Sequence, residues 1–143
     1  MSAGRRSVGL FTYSTLPRGS VVHAAALADA LVELGWDATL YALDKDGRGF
    51  FRPLRARLRL VPAAPAPATT SELVRLRARE LADFLARQPP DHDLLHAQDC
   101  LSANGLLAAR ARGAGAPLVR TVHHVERFED PNLAACQVTD PIL

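Results

Sequence analysis

Val8-Gly9-Leu10-Phe11-Thr12-Tyr13, followed by Ser14-Thr15-Leu16-Pro17-Arg18-Gly19-Ser20 and the stretch from Val21 to Leu34, decides the fold class of this 143-residue chain. An apolar run, a turn carrying proline and glycine, and a segment with helical periodicity closed by Gly35 predict strand, turn and helix. Ser20 is the expected N-cap and Gly35 the left-handed residue that ends the helix. His23, Leu27, Ala30, Leu31 and Leu34 fall on one face at helical spacing. A helix laid back on a parallel sheet has this pattern. In open α/β folds ligands lie beyond the carboxyl ends of the strands, so the turn from Ser14 to Ser20 is where chemistry is expected. Gly19 would let a ligand approach backbone N–H groups at a helix N-terminus, which makes the turn a candidate anion site. The same residues also serve simply to shape a βα connection, and the turn alone does not choose between the two.

A hydrophobic content of 48% over 143 residues supports one domain with a real core and leaves no room for two of ordinary size. The net charge is only +2, from sixteen arginines and one lysine scattered along the chain, so nothing calls for nucleic acid. Arg55, Arg57 and Arg59 alternate and would share one strand face, either toward an acidic partner or toward solvent. The arginine- and alanine-rich, lysine-poor usage resembles the coding bias of a GC-rich bacterial genome. After the basic residues Arg5 and Arg6 comes a strand and not a signal peptide's apolar run, and no segment approaches the ~20 apolar residues that span a bilayer. Cys100 and Cys136 have neither metal nor redox spacing, so free thiols and a cytoplasmic protein are expected.

Strand and helix patterns then alternate. Ala38 to Leu43 reads as a second strand ending at Asp44, and Arg57 to Val61 as a third, more exposed one. The spaced prolines Pro62, Pro65 and Pro67 form a linker. Thr69-Thr70-Ser71-Glu72 has the form of a capping box, and Leu73, Leu76, Leu81, Phe84 and Leu85 make the stripe of the helix it opens. Asp93 to Ala97 is the fourth strand; Gln98 to Ser102 turns into a helix reaching about Arg112; Pro117 to His123 is the fifth strand. Asp130-Pro131 is expected to open a last helix through Cys136. Strands separated by helices predict a three-layer α/β sandwich, a Rossmann-like parallel sheet with right-handed crossovers in the order 3-2-1-4-5. The last strand would then stand as a sheet edge, or the polypeptide is a fragment of something longer.

In that sheet the loops Ser14–Ser20, Asp44–Gly49, Gln98–Ser102 and His123–Asp130 share the carboxyl edge. His123, at a strand end, is a candidate hydrogen-bond donor or general acid-base toward a hydroxyl or phosphate; His124 would point the other way. Asp99 either caps its helix or holds a ligand hydroxyl. His92, His96, His123 and His124 lack the carboxylate or cysteine that would complete a metal set, so no metal is expected. The first turn lacks G-x-G-x-x-G, so although Asp44 ends the second strand as a ribose-binding acid would, a dinucleotide is not expected, and no other cofactor is implied.

Three segments carry a family resemblance. Gly9 to His23, with Leu27-Ala28-Asp29-Ala30-Leu31 and Leu34 to Thr39, resembles the opening of family 4-like, GT-B fold glycosyltransferases. Asp93-Leu94-Leu95-His96-Ala97-Gln98-Asp99 resembles that family's strand ending in a His-Ala-His-Asp-like segment, and Arg120-Thr121-Val122-His123-His124 its Thr-Val-His strand. The similarity runs from about Val8 to Gln137. It implies that residues 1–143 form the N-terminal, acceptor-side domain, one half of a GT-B fold, with the C-terminal donor domain absent. The activity implied is retaining transfer of a sugar from a nucleotide diphospho-sugar to a small-molecule or glycan acceptor. By the same resemblance Gly19, with Ser20 beside it, matches the loop that approaches the donor diphosphate, and His123 the histidine near the transferred sugar. Ser20 stands where the family commonly has a second glycine, which would bring a side chain toward the phosphates. The paired glutamates of the second domain have no counterpart, which implies that a further donor-binding domain or chain is needed for activity. The alternative is a truncated or stand-alone Rossmann-like binding module without catalysis.

Overall fold

The computed structural model describes residues 4–113 and 115–123. Five parallel strands, β1 (Ser7–Thr12), β2 (Asp37–Asp44), β3 (Arg57–Pro62), β4 (Leu94–Ala97) and β5 (Leu118–Arg120), form one sheet in the order β3-β2-β1-β4-β5. That is the expected order. Helix α1 (Gly19–Glu33) covers one face; α2 (Thr70–Arg87) and α3 (Cys100–Ala111) cover the other. The central strand β1 is buried on both sides, with Leu10 between Leu40 and His96 in register, which is why its sequence is apolar without alternation.

The two faces are packed differently. Under α2 and α3 lie Phe11, Tyr41, Leu81, Phe84, Leu95 and Leu106, with Phe11 stacked on Tyr41 at 4.4 Å between centroids. Under α1 the helix side is alanine: Val21, Ala24, Ala25 and Ala28 are its buried residues, seated on Val8, Leu10 and Leu40. This differs from the expected face. Leu27 and Leu31 pack only partly, while His23 and Ala30 are exposed and Leu34 is 76% exposed. Small residues bring α1 close to the sheet, so the stripe that touches it is the alanine row and not the bulkier one beside it.

The helix ends follow their sequence signals in part. Gly35 has φ +88° and closes α1, as expected. Thr69 caps α2, its hydroxyl accepting the Glu72 N–H at 3.2 Å. Ser20, expected as the α1 cap, is instead its second residue; Arg18 occupies the cap position and offers no side-chain acceptor. The loop after β2 folds back over the α1 face: Asp44 accepts the N–H groups of Gly47 and Gly49, and Asp29 of α1 accepts those of Arg55 and Ala56 and pairs with Arg52 at 2.9 Å. The Asp44 carboxylate is therefore committed to its own loop. Arg57 and Arg55 are exposed and paired with Asp37 and Glu33, and Arg59 lies over the rings of Tyr41 and Phe84.

At the amino edge, His92 links Ser7 Oγ (2.7 Å) to the Tyr41 hydroxyl (2.8 Å), and its ring lies so close to Gly9 that a Cβ there would meet it at 2.8 Å. The fifth strand is shorter than expected, ending at Arg120, although the Thr121 N–H still donates to Ala97 O at 2.9 Å. Cys100 is disulfide-bonded and no cysteine among the described residues is free, against the expectation of free thiols. A disulfide-bonded Cys100 gives no reason to expect a reducing compartment. His124, the helix expected from Asp130-Pro131, and Cys136 lie outside the described residues.

Candidate functional site

Parallel strands bring their carboxyl ends to one edge, and a cavity of about 700 Å³ opens there. Its wall comes from four places in the chain: Tyr13 after β1, Arg18, Gly19 and Ser20 at the start of α1, Asp99 and Cys100 at the start of α3, and Arg120, Thr121 and His123 after β5. All four residues singled out from sequence, Gly19, Ser20, Asp99 and His123, line this one cavity.

The floor is organised by Asp99. One carboxylate oxygen accepts the Ser102 N–H at 2.7 Å and so caps α3; the other accepts the Tyr13 N–H at 3.0 Å and so fixes the end of β1. Both oxygens are thus engaged by backbone, and the capping role is the one the geometry displays. Burial pushes this carboxyl up to about 6, against the two N–H groups and the neighbouring Ser102 and Thr12 hydroxyls, which favour the charged form. Arg120 stands near enough to feel that charge; burial lowers its pKa and Asp99 opposes the shift. Tyr13 is raised, chiefly by burial, with Arg18 opposing and Asp99 adding.

The two helix starts at the cavity differ. The first turn of α3 is capped by Asp99, whereas α1 has no side-chain cap and no acidic residue in its first turn. Its orphan N–H groups face the cavity beside Arg18, an arrangement that favours an anion. Gly19 does not have a positive φ, and a Cβ built on it would meet nothing within 4 Å. The glycine leaves open space over those N–H groups; the backbone conformation does not require it.

His123 lines the cavity, and two more imidazoles stand close behind its wall. The rings of His23 and His123 meet edge to face at 5.2 Å, and His96 Nε2 lies 2.8 Å from Thr121 Oγ1. Burial, with the nearby His23, lowers the pKa of His96. No group of three or more His, Cys, Asp or Glu residues among the described residues is placed to hold a metal. His123 stands three residues beyond β5, and not at the end of the strand as expected. Sequence reasoning missed Tyr13, Arg18, Arg120 and Thr121. Arg18 stands immediately before α1 and Arg120 ends β5, and those positions at the carboxyl edge were the signal available for them.

Beneath the edge, Gln98 is fully buried, and neither of its side-chain polar atoms has a hydrogen-bond partner among the described residues. Ordered water is the usual occupant of such a place.

The family model of the glycosyl transferase 4-like domain matches residues 18–141. No curated protein matches the sequence. Among solved structures, sucrose-phosphate synthase from Thermosynechococcus elongatus superposes on 84% of this chain with a TM-score of 0.63 and 15% identity. This chain spans 33% of that protein's length. The C-terminal domain of a hydrogenase from Pyrococcus furiosus superposes on 82% of this chain and 91% of its own length, with a TM-score of 0.55 and 13% identity. At such identities the likeness is one of fold.

Proposed function

This chain belongs to the glycosyl transferase 4-like domain family, and from that premise we propose that it is the acceptor-side half of a retaining glycosyltransferase that uses a nucleotide diphospho-sugar. The observation that carries the reading is the convergence of Gly19, Ser20 and His123 on one cavity beside an uncapped, acid-free helix start. In this reading the donor diphosphate lies against the α1 N-terminus and Arg18, where the open space over Gly19 admits it. His123 holds a hydroxyl of the transferred sugar, and Asp99 acts as a positioning residue that fixes Tyr13 and the start of α3. Transfer forms a bond from an acceptor hydroxyl oxygen to the anomeric carbon. The bond from that carbon to the diphosphate breaks, its electron pair leaves on the nucleoside diphosphate, and the acceptor proton follows to a phosphate oxygen.

The nucleoside and most of the sugar are then held by a second, donor-binding domain or chain. No helix among the described residues is long and apolar enough to cross a membrane. The rival reading is a binding module without catalysis, which the fold by itself allows, since the fold does not determine function.

The test is titration of UDP, GDP and ADP into the chain, followed by amide NMR. At least one should shift the Gly19 and Ser20 amides, and Gly19→Ala should weaken it about tenfold or more by placing a methyl over the N–H groups. Gly19→Ala should leave stability within about 1 kcal/mol, because nothing surrounds the added carbon. No shift with any of the three, or no effect of Gly19→Ala, refutes the placement.

A further inference from the structure

A second cavity, of about 250 Å³, opens on the α2 and α3 side of the same edge. Tyr13 and Arg18 line both cavities, so the two meet along the first loop. The second one is apolar over much of its wall, through Leu16, Leu43, Leu73 and Leu101. Its charged lining is cationic only: Arg18, Lys45 and Arg77. Arg77 is almost fully buried and is neutralised by Glu80 at 2.8 Å, a carboxylate that also accepts the Ala64 N–H. Arg18 and Lys45 make no ion pair among the described residues and are exposed. A leucine wall beneath two unneutralised cations has the complement of an apolar body that ends in an anion. The small volume favours a single small molecule over a glycan chain.

We propose that this second cavity binds a small amphipathic acid, an apolar skeleton bearing a carboxylate or phosphate, as the acceptor. This rests on the reading of the first cavity as the donor site. The apolar part lies on Leu73 and Leu101, the anion pairs with Lys45, and the hydroxyl to be glycosylated is directed past Tyr13 into the first cavity.

Octyl phosphate, octanoate, octanol and inorganic phosphate, titrated separately into the 143-residue chain, separate the components by calorimetry and by amide shifts at Lys45, Leu73 and Leu101. Octyl phosphate and octanoate are expected to bind at least tenfold more tightly than octanol or inorganic phosphate. Lys45→Ala should weaken octyl phosphate about tenfold and leave octanol unchanged. Phosphatidic acid vesicles should not sediment the protein. Octanol binding as well as octyl phosphate, inorganic phosphate binding as well, an inert Lys45→Ala, or retention by the vesicles in place of the soluble probes would each overturn the proposal. Nucleotide binding that depends on Gly19, without octyl phosphate binding, sinks this inference alone. Lys45-dependent octyl phosphate binding without nucleotide binding removes the acceptor assignment and the reading it rests on.

Discussion

Replacing Asp99 with asparagine should change how stability depends on pH. The carboxyl rises from 3.8 to about 6 on folding because burial outweighs its two backbone N–H bonds. Between those values the folded chain binds more protons than the unfolded one, so this group makes stability fall as pH rises through the window. A shift of this size corresponds to about 3 kcal/mol in full, of which about 2 kcal/mol falls between pH 4.5 and 7. His92 and His96 have pKa values lowered by burial and act in the opposite sense, adding stability as pH rises toward 6.5. They are present in both proteins, so the difference between them isolates Asp99. Asp29 and Asp83 are shifted down and lose their contributions only below 3.8, outside the window. Urea unfolding of the wild type and Asp99→Asn, with the disulfide intact, should show the wild type losing about 2 kcal/mol relative to the variant from pH 4.5 to 7. Parallel profiles would mean that the two N–H bonds hold the carboxylate charged throughout, and the account of the cavity floor would be wrong.

Two further changes bear on other parts of the molecule. In an assembly competent for transfer, His123→Ala should lower turnover by roughly 10- to 10⁴-fold with little change in melting temperature; full turnover with a drop of several degrees would make His123 structural. Gly105→Ala should destabilise by about 1–3 kcal/mol in thermal or urea unfolding, because its Cβ would come within 2.7 Å of Leu81 Cδ2 and 3.0 Å of Leu81 Cβ where α3 rests on α2; an unchanged midpoint would show that the two helices can part at no cost.

The order of the sheet was legible because period-two and period-3.6 segments alternate, and right-handed crossovers leave few ways to arrange five parallel strands. Helix α1 was located but turned to the wrong face. Hydropathy favours Leu27, Leu31 and Leu34, whereas the distance between helix and sheet is set by Val21, Ala24, Ala25 and Ala28, and alanine rows are weak signals in a chain rich in alanine. The cavity was legible in outline, since any residue just past a parallel strand arrives at the same edge. What Asp99 does was not. Its partners are Ser102, three residues on, and Tyr13, 86 residues away, and only the pairing of β1 with β4 brings the second within reach. The disulfide at Cys100 had no spacing signal at all.

Arg57 and Arg59 occupy exposed alternate positions along β3, a strand with only β2 beside it among the described residues, Arg57 paired with Asp37 and Arg59 lying over the Tyr41 and Phe84 rings. A strand border with unused N–H and C=O groups is an invitation to a second copy, and Leu58 and Leu60, each more than a third exposed, would make it sticky. Two copies meeting border to border would bring like charges together along the seam, above all at Arg59, which makes no ion pair among the described residues. Exchanging both arginines for threonine, a residue well suited to strands, would leave the fold intact and remove that repulsion. The concentration at which the protein clouds on standing should fall, and fall further in high salt, where the remaining charge on the surface is screened.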